Sequence, residues 1–323
     1  MFSRSKFIFH LLPLYLTLFM PIFLITGPFL SDLSLSVCGL IFLINSFRSN
    51  LKKYYNNYFV KFFIIFNLII LISSLVSDYE LFSLKSSFFY FRFALFSLSV
   101  WYLIDIDKNF LKYFFFTLSC SFFVLVIDGF VQYFFNKNII GLIPEVDTHG
   151  PRISSFFGSE LVMGSYLSRL FPLYFGLFIH FMKKMSNTYV NLHLIFFCLI
   201  YIIIFLTGER TAFFIINLIL IFLFFLIQDF RKKIFFVFLT LALFFLTASY
   251  FKPEIGNRVI KYTLSQLQSK HDDKLVLFSA MHTGHYKTGI KMFFDNKILG
   301  IGPNNFRKRC SEKKYKPLAY ADS

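Results

Sequence analysis

Nine stretches of this chain stay apolar for about the 17 to 25 residues that carry a helix across the hydrocarbon of a bilayer. They lie near 7–30, 31–47, 58–76, 86–104, 110–132, 161–182, 190–207, 211–229 and 233–250. Each is continuous and not alternating, so helices are predicted and barrel strands are not; in lipid only a helix satisfies its own backbone without partners. Composition agrees, since 57% of the 323 residues are apolar and only 15% are charged, a balance that belongs to membrane proteins. The predicted fold class is therefore all-α, a polytopic helical bundle of about nine transmembrane helices occupying 1–250. An external, partly helical segment is expected over 251–323. The first run is longer than a signal-peptide core, contains Pro13 and Pro21 and lacks a small-x-small cleavage site, so it reads as an uncleaved span. The 52 phenylalanines fit AT-rich coding and say little about function.

Orientation follows from the basic residues of alternate short loops, which favour the cytoplasm. One set holds Arg4, Lys6, Arg48, Lys52, Lys53, Lys61, Lys108, Lys112, Lys183, Lys184, Arg231, Lys232 and Lys233; the other holds only Lys85, Arg92, Lys137, Arg152, Arg169 and Arg210. The N-terminus is thus expected in the cytoplasm, and nine spans place everything after 250 outside. That tail holds 14 of the 33 basic residues against six acids. Attraction to anionic membrane lipids or to a phosphorylated, lipid-borne substrate suits such a segment. Nucleic acid is not an expected partner, because no basic stripe interleaves with aromatics and the tail follows a membrane domain.

Ionisable groups inside spans are costly and tend to face a cavity or a partner. Arg92 and Arg169 lie roughly 9 Å and roughly 12 Å into their spans at the helical rise, both from the outer side, and Arg152 and Arg210 belong to outer loops. Four arginines therefore share the outer half. Their structural reading is snorkelling or pairing with Asp128, Glu160 or Glu209; their functional reading is an anion site.

The local sequences are distinctive. "GPRISSFFGSELVMGSYLSRLFPL" at 150–173, "TGERTAFF" at 207–214 and "MFFDNKILGIGPNNFRKRC" at 292–310, in this order on alternating outer segments, resemble the O-antigen ligase/polymerase family of bacterial envelope enzymes. The resemblance covers the last half of the chain as motifs and the remainder as span pattern. It implies an inner-membrane glycosyltransferase that moves a glycan from a polyprenyl pyrophosphate carrier to an acceptor hydroxyl. The acceptor is lipid A-core in ligases and another carrier-linked repeat in polymerases. It further implies no nucleotide sugar, no cofactor and no required metal, with pyrophosphate recognition on Arg152 and Arg210. Guanidinium forks suit that role because they bind phosphate oxygens bidentately. The family carries a histidine motif late in its large external loop, followed by further spans. This chain ends at "PLAYADS", which leads to the expectation that the natural protein continues. A transporter or flippase for the same glycolipid is the alternative, although transport predicts charges at several depths and here they gather near one side.

Candidates for a base are His282 and His285, three apart and so on one face of a helix, and His149 beside Arg152. Each is equally readable as an ordinary polar residue. No Cys, Asp or Glu cluster completes a metal site around them. His10, His180 and His193, within or beside spans, are expected to cap or hydrogen-bond. Gly300 and Gly302 in "GIGPNN" lack the strand-turn-helix context of a phosphate loop and read as a structural turn. Cys38, Cys120 and Cys198 lie in spans as small apolar groups, and Cys310 stands alone in the tail.

Overall fold

The computed structural model describes residues 7–147, 150–228 and 280–315, together with positions 231, 235 and 239. Among these residues the chain is a membrane-embedded all-α bundle. Five helices are long and apolar enough to cross a bilayer: Pro28–Arg48, Tyr58–Leu75, Glu80–Ile106, Phe110–Phe135 and Asn187–Leu206. A sixth forms if the broken pair Phe9–Leu18 and Met20–Thr26 counts as one span. The ninth apolar run, 233–250, falls outside the described residues apart from Phe235 and Leu239.

In chain order the helices are α1 (Leu12–Leu18), α2 (Met20–Thr26), α3 (Pro28–Arg48), α4 (Lys52–Tyr55), α5 (Tyr58–Leu75), α6 (Glu80–Ser87), α7 (Arg92–Ile106), α8 (Phe110–Phe135), α9 (Met163–Met182), α10 (Asn187–Leu206), α11 (Arg210–Leu226), α12 (Ala280–Asp295) and α13 (Phe306–Arg309). A π-helical turn, Phe7–Leu11, precedes α1, and a 3-10 turn, Phe88–Phe91, joins α6 to α7. Several boundaries differ from the apolar runs for local reasons. The first run breaks at Phe19, ahead of Pro21 in the first turn of α2, and again at Gly27, because proline lacks the N–H that would continue the ladder. The run at 31–47 gains Pro28 at its start, where a missing N–H costs nothing, and becomes a full 21-residue helix. Met163–Met182 spans 20 residues but contains Arg169, Pro172 and His180, and Arg210–Leu226 has only 17. Neither belongs with the five long apolar helices.

The chain divides into two compact units, one of Met1–Thr17, Asp32–Asp107 and Ser265–Ser323, the other of Leu18–Ser31 and Lys108–Leu264. In the first unit Gly39 lets α3 approach α7 closely, since a Cβ there would lie 3.1 Å from Leu95 Cβ; small residues serve this purpose between membrane helices. Asn57 caps α5 by accepting from the Val60 amide at 2.9 Å. At the far end of α5 five buried serines gather at the corner with α6: Ser73, Ser74, Ser77, Ser83 and Ser87. Ser74 and Ser87 hydroxyls are 2.6 Å apart and the Ser83 hydroxyl donates to Ser74 at 3.1 Å, so the polar groups satisfy one another away from water.

The segment after α12 docks on this corner. Ser73 donates to the Leu299 carbonyl, Arg309 pairs with Asp78 at 3.0 Å, and Lys308 sits 4.0 Å from the centroid of Phe82. The expected structural turn is present: Gly300 and Gly302 adopt φ of +67° and +82°. A Cβ on Gly302 would lie 2.7 Å from Ser77 Cβ and 2.8 Å from Ser83 Oγ. Lys314, hydrogen-bonded to Asp295, holds that carboxyl below its ordinary pKa.

The second unit packs α8, α9, α10 and α11 around one core. His193 stacks between Phe115 and Phe178 at centroid distances of 5.7 and 5.3 Å, with Nδ1 2.9 Å from the Tyr189 carbonyl oxygen, a hydrogen-bonding role as expected. Gly129 makes the close contact here, since a Cβ would lie 2.7 Å from Met163 Cε and 2.9 Å from Ile203 Cγ1.

Gly302→Ala should loosen the docked turn, through the clash and about 1 kcal/mol of backbone strain at positive φ. Limited proteolysis should then cut between 296 and 315 faster than in the wild type while helical circular dichroism is unchanged; an unchanged cleavage rate would contradict the docking.

Candidate functional site

The motif-bearing end of the second unit is built from the C-terminal ends of α8 and α10 and the N-terminal ends of α9 and α11. On α8, Asp128 and Gln132 are four residues apart and so share a face, and both are fully buried. Asp128 accepts from the Ile139 amide at 2.8 Å, from the Asn138 side-chain amide at 3.3 Å and from the Ser155 hydroxyl. Gln132 Oε1 accepts from the Ser154 and Ser155 amides at 2.9 and 2.8 Å. Asn138 in turn accepts from the Leu142 amide at 2.7 Å and donates to the Ser155 carbonyl at 3.2 Å. A buried carboxylate is tolerable when its lone pairs are filled in this way, and the result is a returning loop fixed at both ends. On that loop a short hairpin pairs β1 (Glu145–Asp147) with β2 (Gly150–Arg152), Glu145 standing opposite Arg152.

Past the hairpin, α9 begins with no side-chain cap from its own flank. Glu209 supplies one from across the sequence. Its Oε1 accepts from the Gly164 amide at 2.6 Å, and its Oε2 accepts from the Ser165 amide at 3.0 Å and the Ser165 hydroxyl at 2.7 Å. A carboxylate at this place fills two orphan donors and meets the positive end of the helix dipole. The approach is close enough to require glycine, because a Cβ on Gly164 would lie 2.7 Å from Thr207 Oγ1 and 3.0 Å from Glu209 Oε1. Gly208, at φ +69°, turns the chain from α10 into α11 and leaves Glu209 facing inward at 8% exposure.

Three of the four candidate arginines belong to the second unit, on the elements just described. Arg210 is the first residue of α11 and is exposed. Arg169 is exposed and stands four residues after Ser165, one turn along the same face of α9. Arg152, half-buried, ends β2 two residues before Ser154, which Gln132 holds. Arg92 belongs to the first unit. It pairs with Asp32 at 3.1 Å and lies 5.2 Å from the centroid of Phe93, an ion pair on its own structure in place of the Asp128, Glu160 or Glu209 partners considered from sequence. His149 lies outside the described residues. His282 and His285 do fall on one helix, α12. The His285 ring is exposed and 6.1 Å from that of Phe306; the side chain of His282 is outside the described residues. Among the described residues no group of three His, Cys, Asp or Glu is arranged to hold a metal ion.

Sequence reasoning missed the polar scaffold beneath the arginines. The signal was present: Asp128 and Gln132 at helical spacing in an apolar run, and Gly164-Ser165 at a helix start without a preceding Ser, Asp or Asn.

A bundle of apolar helices with a polar, arginine-bearing end defines a polytopic membrane protein. No family model, curated protein or solved structure matches the chain, so any finer assignment rests on these residues themselves.

Glu209→Ala should leave the amides of Gly164 and Ser165 buried without acceptors, at about 1–3 kcal/mol for each such loss. Thermal unfolding in detergent should fall by several degrees, and Glu209→Gln, which keeps one acceptor oxygen, should recover part of that loss. Equal effects of the two substitutions would contradict the capping role.

Proposed function

We propose that this protein is a membrane glycosyltransferase that moves a glycan from a polyprenyl pyrophosphate carrier to an acceptor hydroxyl at the outer face of a bacterial inner membrane. The observation that supports the reading is the Glu209 clamp, which ties the start of α9 to the start of α11; Arg169 and Arg210 lie on these two helices and Arg152 on the loop that leads into the first. With both Glu209 oxygens engaged by the start of α9, the motif carboxylate serves the scaffold. The guanidinium groups of Arg152, Arg169 and Arg210 are chemically suited to diphosphate oxygens.

In the proposed reaction the acceptor oxygen attacks the anomeric carbon as the bond from that carbon to the pyrophosphate oxygen breaks. The electron pair leaves with the pyrophosphate, whose added charge Arg152 and Arg210 stabilise, and Arg169 helps hold the diphosphate. The hydroxyl proton passes to a base, for which His149, His282 and His285 are the candidates. Leaving-group charge is met by arginine, so the scheme needs neither a nucleotide nor a metal. Ligase and polymerase differ only in the acceptor, lipid A-core or a second carrier-linked glycan. Passage of the same glycolipid by a flippase is the rival. The topology that accompanies the proposal has nine spans, a cytoplasmic N-terminus and an external segment from 251.

In cells carrying the complete gene, Arg152→Ala and Arg210→Ala should each lower glycan transfer by about 10²-fold or more, the scale of losing one charge-stabilising donor, at unchanged protein level. Lysine at either position should recover only part of that, because it lacks the bidentate fork. Normal glycan on both alanine variants would overturn the proposal, and loss of carrier translocation with intact in vitro transfer would favour the flippase. Reporter fusions after Asn138 and Lys184 should report outside and inside respectively.

A further inference from the structure

The helix Ala280–Asp295 is amphipathic in an unusual sense, for it has one buried face, one basic flank and one exposed apolar face. Its inner face, Thr288 and Met292, packs on the segment that follows: the Thr288 hydroxyl donates to the Tyr315 carbonyl at 2.9 Å, and Met292 is 2% exposed. Tyr286, Ile290, Phe293 and Phe294 fall at i, i+4, i+7 and i+8 and so form one stripe, with Ile298 continuing just beyond the helix. All five are open, Phe293 at 58% and Ile298 at 93% exposure. Lys287 and Lys291, one turn apart, flank this stripe, and Lys297 lies at its end with Nζ 5.6 Å from the centroid of Phe294. Beside Phe293, an apolar cavity of about 310 Å³ opens between the helix and the glycine turn, lined by Gly289, Met292, Ile301 and Phe306 among others.

The helix is also tied to a definite level. Leu299, four residues past its end, accepts from Ser73 near the C-terminal end of the spanning helix Tyr58–Leu75. Four residues reach at most about 14 Å. There the spanning helix presents Ile72, Leu75 and Val76 outward, as a segment does where it leaves hydrocarbon. An exposed aromatic and aliphatic stripe bordered by lysines, held at that level, has the make-up of a helix seated in the headgroup region: apolar side chains enter the acyl boundary and ammonium groups meet phosphates. In water the same stripe would be a patch of the kind that soluble surfaces avoid.

We propose that Ala280–Asp295 is an interfacial helix that binds anionic phospholipid of the surrounding bilayer, with Phe293, Phe294 and Ile298 in the acyl boundary, an acyl chain against the adjoining cavity, and Lys287 and Lys297 on the headgroup. The inference is independent of any transferase activity.

The chain has a single tryptophan, Trp101, which makes the test direct. The full protein carrying Trp101→Phe and Phe293→Trp is reconstituted in nanodiscs of phosphatidylglycerol or phosphatidylcholine brominated on the acyl chains, and Trp101→Phe with Lys313→Trp serves as the water-facing reference. Bromine should quench the tryptophan at 293 at least twofold more than the reference, and more strongly in phosphatidylglycerol than in phosphatidylcholine. Adding Lys287→Gln and Lys297→Gln should abolish that lipid preference without changing the reference. Quenching at 293 by aqueous acrylamide and not by bromine would overturn the proposal, and so would protection from both quenchers, which would show a protein segment covering the stripe. Bromine quenching equal in the two lipids would overturn the headgroup assignment.

Discussion

The second unit depends on one carboxylate. Glu209 reaches the Gly164 amide, 45 residues earlier in the chain and in the first turn of α9, and the contact does three things at once. It satisfies amides that no local residue caps, it sets the spacing between α9 and α11 through Gly164 and Ala212, and it leaves Arg210 outside that contact. An exposed ion pair contributes little in water, but a buried acceptor with three donors is expensive to remove. Neighbouring charges of one motif therefore divide, one holding the scaffold and the other presented at its edge.

The same economy recurs wherever polar groups are buried in this protein. Asp128, Gln132 and Asn138 close a network over the loop that bears Arg152, and the hydroxyls of three serines, Ser74, Ser83 and Ser87, close another at the corner of α5 and α6. Hydrophobic burial does not distinguish helix from lipid inside a bilayer, so close packing and hydrogen bonds must specify which helices meet. Gly39 and Gly129 mark close contacts of this kind, and Gly302 the tightest to a rigid neighbour, where a Cβ would lie 2.7 Å from Ser77 Cβ.

Much of this was legible in the sequence, and the limits have physical causes. Long apolar runs announced the helices, since length and hydropathy are local properties. The breaks at Phe19 and Gly27 were foreshadowed by Pro21, yet the run's total length concealed them. The helix Met163–Met182 was readable as helical, whereas Arg169, Pro172 and His180 make it less apolar than the spans around it. Arg152, Arg169 and Arg210 all fall in the second unit, on the loop before α9, on α9 and at the start of α11. The partner of Arg92 was not found, because Asp32 lies 60 residues away and no local pattern links them. Glu209 was seen as half of a charged pair; its actual partners are backbone amides, which a sequence does not display.

The serine corner bears on how the chain is made. Ser73 and its acceptor Leu299 are separated by 226 residues, which at roughly 5–20 residues per second is a delay on the order of ten to forty-five seconds during synthesis. Ser74, Ser83 and Ser87 hydrogen-bond among themselves, so these hydroxyls have partners that do not wait for Leu299 to be made. The ribosome thus delivers the residues of the corner well before the segment that docks on it.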